Sequence, residues 1–257
     1  MRIQGLIELK SAQELAIIAE NARLLREIID QLAAAARPGI STAELDRLAE
    51  RLIHRIGAEP AFKGYEGYPA ALCASVNEEV VHGIPRDDRI LKEGDILSLD
   101  LGLRRRGFYA DVATTVAIGR VSARAERLLR VTQEALERGI AAARVGNRVS
   151  DISHAIGSYV ESQGFYVVKR FVGHGIGREL HEEPQIPNYG PPGQGPRLRP
   201  GMVLCLEPMV KEDEGEVIVR EDGWTVVTPE GGLAAHYEEM VLITEAGPKV
   251  LTRGDLP

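Results

Sequence analysis

Two aspartates, Asp100 and Asp111, lie in the stretch GDILSLDLGLRRRGFYADVATTVAIG, residues 94–119. Residues 96–101 alternate, with Ile96, Ser98 and Asp100 on one face and Leu97, Leu99 and Leu101 on the other. Residues 108–118 are rich in Val, Thr, Phe and Tyr, so two strands joined by an Arg/Gly turn are expected. A turn centred near Arg105 and Arg106 sets Asp100 opposite Asp111. Directly opposed residues carry Cβ atoms about 4.5–5.5 Å apart. Two inward carboxylates at that distance require a cation or a shared proton.

Further candidates are His174 in GHGIG, Glu207 at the end of LRPGMVLCLE, and either Glu238 or Glu239 in AHYEEMVLIT. Alternation puts Glu238 and Glu239 on opposite faces, one in and one out, without saying which. Carboxylate and imidazole donors suit Mn, Fe, Co or Zn. Four carboxylates with one His can hold two ions, and a two-metal site with a bridging water or hydroxide points to hydrolysis. His82 in VVHGIP and His181, seven residues after His174 in the loop that follows GHGIG, join the set. His236 is a weaker candidate, and His54 and His154 lie on expected amphipathic helices. There is no H-E-x-x-H, no P-loop and no G-x-S-x-G. Arg104, Arg105 and Arg106 read as a solvated turn.

These residues need elements to hold them. Ser11–Glu14 and Ser41–Glu44 are capping boxes that open two helices, stopped by Pro38-Gly39 and by Gly57. A strand near 71–76 precedes the hairpin. Helices follow over 123–143 and 148–163, then strands near 165–172, 202–207, 216–220, 224–228 and 236–244. A shift of 107 residues, the interval from Gly39 to Gly146, also lays Gly57 on Gly164 and Gly94 on Gly201. LKEGDILSLD then overlies LRPGMVLCLE, and Asp100 overlies Glu207. An α+β fold is expected, duplicated about a pseudo-twofold, with helices covering a curved antiparallel sheet. Residues 1–257 form one domain of two related halves, about 1–120 and 121–257.

Composition bounds the function classes. With 257 residues, 44% of them hydrophobic, the chain can bury a large core. A net charge of −7 argues against a dedicated nucleic-acid site. Cys73 and Cys205 are too few for a Cys-rich zinc module and suit a reducing compartment. The opening MRIQGLIELK has no apolar leader run, and nothing is long and apolar enough to span a membrane. A cytoplasmic location and a monomer are expected.

The phrases PGISTAELD, GYEGYP, SVNEEVVHGIP, GDILSLDLG, GHGIGRELHEEP, LEPMV, DGWTVVT and HYEEMVLIT occur in this order from residue 38 to 244. Together they resemble the type I methionine aminopeptidases, close to the bacterial form, over almost the whole chain. The resemblance implies the pita-bread fold. It also implies removal of the initiator Met from nascent chains when the second residue is small, by attack of a metal-bridging water. It assigns Asp100, Asp111, His174, Glu207 and Glu238 to two divalent ions (Co, Mn, Fe or Zn), selecting Glu238 over Glu239. It gives Glu207 the proton of the bridging water, His181 the scissile carbonyl and His82 the peptide nitrogen. The Met pocket would be lined by Tyr65, Tyr68, Cys73 and Trp224. Phe62 and Leu180 stand there where bacterial relatives often carry Cys and Phe. The loop with Asn77 and Glu79 resembles a monovalent-cation site. The substrate would be a peptide or nascent chain beginning with Met, and a transient ribosome contact through Arg104–Arg106 would follow. Proline-directed peptidases of the same fold and a non-catalytic binding protein are the competing readings.

Overall fold

The computed structural model describes residues 7–256. The reading of residues 1–6 as free of an apolar leader lies outside the described residues. The first part of the chain comprises α1 (Ala12–Ala35), α2 (Thr42–Arg55), β1 (Glu59–Pro60), β2 (Leu72–Val76), β3 (Glu79–Val81), β4 (Ile96–Arg105) and β5 (Phe108–Ala117). The rest comprises α3 (Ala123–Ala142), α4 (Val149–Ser162), β6 (Tyr166–Val167), β7 (Gly173–Gly175), β8 (Glu182–Ile186), β9 (Val203–Leu206) and β10 (Met209–Lys211). It closes with β11 (Ile218–Val219), β12 (Val226–Val227), β13 (Ala234–His236), β14 (Glu239–Thr244) and β15 (Gly247–Val250).

Both capping boxes form. The Ser11 and Ser41 hydroxyls accept the Glu14 and Glu44 N–H groups, and each Glu carboxylate accepts the Ser N–H in return at 2.8 Å. Along α1, Ile18, Ala22, Leu25, Ile29 and Leu32 make a fully buried stripe. It packs with Leu97, Leu99, Leu101 and Leu103 of β4, all fully buried. Each such Leu or Ile contributes roughly 1.5–3 kcal/mol. Because strand side chains alternate, committing these leucines to the helices turns Ser98, Asp100 and Gly102 to the other face.

The β4–β5 hairpin corrects the expected register. The turn is the pair Arg106-Gly107, with φ of 55° and 83°. Positive φ at both positions is the two-residue turn that matches strand twist. Arg105 therefore pairs with Phe108, Asp100 with Ala113 and Asp111 with Gly102. The two aspartates are diagonal neighbours on one face, not directly opposed. In the arginine run, Arg104 and Arg106 are exposed, as expected of a solvated turn, while Arg105 is half-buried. Arg105 and Arg106 each bond Glu20 of α1 at 2.9 Å, and Arg104 lies over the Tyr109 ring.

Four antiparallel sheets hold the described strands, and two of them carry the site. One is β1-β4-β2 with β5 on β4; the other runs β15-β14-β9-β7-β8. They meet where the Glu238 N–H donates to the Ala113 carbonyl at 2.9 Å. The strand expected over 236–244 breaks at this seam into β13 and β14. The Thr115 hydroxyl bonds both the N–H and the carbonyl of His236, and the Tyr237 hydroxyl donates to the Thr115 carbonyl. The strand expected near 165–172 shortens to β6.

Candidate dinuclear metal centre

Each acidic candidate reaches the site by a different strand. Asp100 comes from mid-β4, Asp111 from β5, Glu207 from the end of β9 and Glu238 from the seam before β14. His174 is the middle residue of β7, paired with Cys205 of β9. Its glycine flanks have a steric cause. A Cβ at Gly173 would lie 2.4 Å from the Cys205 carbonyl oxygen, and one at Gly175 would lie 2.3 Å from the Glu183 carbonyl oxygen. Only glycine lets β7 sit this tightly between β8 and β9.

The side chains converge. Ligand atoms of Asp100, Asp111 and Glu238 lie within 4.8 Å of one another, as do those of His174, Cys205 and Glu238. One oxygen each of Asp100, Asp111 and Glu238 is buried without a hydrogen-bond partner. Buried polar atoms are ordinarily paired, so these oxygens mark a place for a cation or proton. Burial raises the pKa of all four carboxyls, Asp100 to about 6 and Asp111, Glu207 and Glu238 well above the usual range. Mutual repulsion adds to the effect for the last three. His174 is pushed the other way, to about 3, first by burial. The neutral ring donates from Nδ1 to the Gly175 carbonyl at 2.9 Å. Nε2 is left with a lone pair, 3.6 Å from Glu207. This neutral imidazole among unpaired carboxylate oxygens fits divalent metal ions.

Around the acids stand the other expected residues. Phe62, Tyr65, Tyr68, Cys73, His82, Leu180, His181 and Trp224 line the same cavity. His181 stands at its mouth, its ring edge-on to His174 at 4.5 Å between centroids and its Nδ1 2.9 Å from the Tyr65 hydroxyl. His82 packs edge-on against Phe171 and Trp224, and burial lowers its pKa to about 4. Tyr68 meets Trp224 edge-on at 5.1 Å, its hydroxyl turned to the Leu72 and Gly83 carbonyls.

Two expectations change. Glu239 does point away from Glu238, but not into solvent: both are buried. Glu239 bonds Arg26 at 2.7 Å, Arg253 at 2.9 Å and the Thr252 hydroxyl. α1 and the C-terminal turn cover the back of this strand, and a buried carboxylate there needs cations. His236 is more central than its weak rank implied, with Nε2 3.6 Å from Glu207 and both ring nitrogens buried without a hydrogen-bond partner. Three residues were missed. Glu66 lines the cavity and Phe171 backs His82. Thr115 holds the His236 backbone, and its place four residues beyond Asp111, on the same strand face, was the available signal.

The Asn77 side chain is taken up by Asp95 and by the Ile96 N–H. Glu79 is buried, accepting the Val76 N–H and meeting Arg220 at 3.2 Å. Among the described residues no helix is long and apolar enough to cross a membrane.

The profile of metallopeptidase family M24 matches residues 16–245. A methionine aminopeptidase of Clostridium acetobutylicum is 49% identical over 247 residues, 96% of this chain and 99% of that one. Methionine aminopeptidase 1 of Bacillus subtilis is 50% identical over 244 residues, 95% of this chain and 98% of that one. The crystal structure of a Thermotoga maritima methionine aminopeptidase superposes with a TM-score of 0.94 at 45% identity, covering 96% of this chain and 99% of that one. The Xaa-Pro dipeptidase of Bacillus anthracis shares the fold alone, with a TM-score of 0.78 at 22% identity over 95% of this chain and 62% of that one.

Proposed function

The chain belongs to metallopeptidase family M24, among its bacterial type I methionine aminopeptidases, and we propose that Asp100, Asp111, His174, Glu207 and Glu238 together hold two divalent ions that carry its reaction. Its fold is the pita-bread fold, and it is a metal-dependent hydrolase that removes N-terminal methionine. The observation that carries the proposal is the convergence of four carboxyls, two buried and two half-buried, three with unpartnered oxygens, on a neutral imidazole.

When bound, the ions supply Lewis acidity and lower the pKa of a coordinated water. The protein does the rest. Glu207, its pKa raised by burial, takes the water's proton and hands it to the leaving amine. We assign the Tyr65 hydroxyl as donor to Nδ1 of His181, 2.9 Å away, the tautomer that leaves an Nε2–H at the mouth to polarise the scissile carbonyl. Burial keeps His82 neutral near pH 7, so it steadies the peptide nitrogen by a hydrogen bond without adding charge. Phe62, Tyr65, Tyr68, Cys73, Leu180 and Trp224 give the Met side chain an apolar, sulfur-tolerant wall. We infer that the second residue must be small.

The substrate is the N-terminus of a nascent chain, and the protein acts as a cytoplasmic monomer. A monovalent ion near Asn77 would have to rely on backbone carbonyls, because the side chain is engaged. A ribosome contact through these arginines would compete with their ion pairs, Arg104 with Glu59 at 3.9 Å and Arg105 and Arg106 with Glu20.

The test uses metal-stripped protein with Mn or Co restored, on Met-Ala-Ser, Met-Leu-Ser and Ala-Pro-Ala. Metal-dependent release of Met from the first peptide alone is expected. Cleavage of the proline peptide instead would overturn the substrate assignment.

A further inference from the structure

Two donor triads share Glu238, and they differ in chemistry; Cys205 lies just behind the cavity wall that His174 and Glu238 form. Asp100, Asp111 and Glu238 offer oxygen only, whereas His174, Cys205 and Glu238 offer nitrogen, sulfur and oxygen. We propose that the Cys205 sulfur is a ligand of one of the two metal positions, making that position selective for a thiophilic ion such as zinc. The proposal rests on the dinuclear reading above and adds a donor to it.

Strand geometry puts the sulfur there. Cys205 of β9 lies between His174 of β7 and Met240 of β14, directly opposite both in register. Directly opposed residues share a face, and Glu238 is two residues from Met240, so Cys205, His174 and Glu238 point to one side. Cys205 is a fully buried free thiol. Its sulfur lies within 4.8 Å of both a His174 nitrogen and a Glu238 oxygen. Glu238, 2% exposed, has its Oε1 buried and without a hydrogen-bond partner. Bonds of about 2.3 Å from sulfur and about 2.0–2.2 Å from nitrogen or oxygen are those of a zinc ion in such a set. On binding, the ion replaces the thiol proton, which leaves to solvent, and no electron is transferred. Softer sulfur favours zinc, iron or cobalt, while the all-oxygen triad suits manganese equally. The second thiol gives an internal control: Cys73 lies opposite Asp100 and belongs to neither triad.

The test is zinc-edge X-ray absorption on metal-stripped protein reloaded with zinc, with bound ions counted in the same samples. A sulfur shell near about 2.3 Å is expected in the wild type and in Cys73→Ser. It should be absent in Cys205→Ser and Cys205→Ala, with zinc affinity lowered by about 10–100-fold, the scale of loss when a supporting group is removed from a metal site. Two zinc ions per chain without a sulfur shell in the wild type would overturn the proposal and leave the dinuclear reading standing. A sulfur shell that survives Cys205→Ala would likewise overturn it. No bound zinc at all would overturn both. The wild-type spectrum needs no substitution, so a variant that fails to fold does not protect the proposal.

Discussion

Burial divides the titratable residues of the site into two kinds. The histidines are held neutral and the carboxyls are pushed toward holding protons. Glu207→Gln should lower kcat for Met release by about 100–10,000-fold, the usual weight of a proton-transferring side chain. His181→Ala should lose about 100–1,000-fold, the scale of one oxyanion donor, with bound metal unchanged. Stopped assays with ion counting on each variant separate these outcomes. For His82, the folded pKa is about 4 and the ordinary value about 6.5, so between those limits the unfolded chain binds a proton that the folded chain refuses. Stability contributed by the neutral ring is therefore intact above pH 6.5 and is lost as pH falls toward 4, by about 3 kcal/mol in all. Urea unfolding of metal-free protein at pH 4.5 and 7 should show a smaller acid loss for His82→Gln than for wild type. An equal loss in both would remove His82 from the pH response. The gathering of Asp100, Asp111, His174 and Glu207 in one cavity was legible from acids that tip apolar strands and a histidine among glycines, whereas the choice of Glu238 over Glu239 came from the family resemblance alone. The partnership of Glu239 with Arg26 and Arg253 was not legible, since both cations lie more than ten residues away in sequence and only folding joins them.

Elements place these groups, and the loop carrying His181 shows how. Lys10 is buried and its ammonium bonds Glu182, whose other oxygen accepts the Arg178 and Glu179 N–H groups at 2.8 and 3.3 Å. A Cβ at Gly177 would fall 2.4 Å from Lys10 Cε, so a side chain there would have to displace the Lys10 ammonium from its place beside Glu182. Arg178 reaches Glu14 of α1 at 2.9 Å, so the start of α1 and this loop are one assembly. Lys10→Ala should lower kcat/KM by about tenfold to a hundredfold by loosening His181, since small misplacements carry that penalty. It should also cost about 3 kcal/mol in urea unfolding, as when one partner of a buried pair is removed. Lys10→Arg should restore most of both, and full activity in Lys10→Ala would sever the link to His181. Capping boxes and apolar stripes made the helices readable, because both signals are local. The β4–β5 turn lies one residue later than expected, which moves the pairing by two residues, because the turn Arg106-Gly107 uses a non-glycine residue at positive φ. The Gly107 signal was present in the sequence, but Arg106 gave none.

The whole molecule is organised around the seam between its two site-bearing sheets. One hydrophobic cluster joins Ile18, Leu25 and Leu99 to Cys205, Met240 and Leu242. We read the chain as a single catalytic domain of two related halves, about 1–120 and 121–257, because neither half closes this cluster alone. Asp100 and Glu207, one residue of each half, then face a common cavity. Unpaired carboxylate oxygens at its centre make the metal-free protein the less stable form, and increasingly so as pH rises. Asp100, its pKa raised to about 6, loses stability as pH rises from about 4 to 6, the other three carboxyls are shifted in the same direction, and bound ions replace the protons given up. A ligand at a hundred times its Kd adds about 2.7 kcal/mol. In a chain of this size that raises Tm by about 5–10 °C. The most direct measurement titrates metal-stripped protein with Mn while bound ions, Tm and Met released from Met-Ala-Ser are followed together. Two ions per chain are expected, with Tm and Met release rising as they bind. Met release before any ion binds, or two bound ions with no release, would contradict a dinuclear centre built from Asp100, Asp111, His174, Glu207 and Glu238.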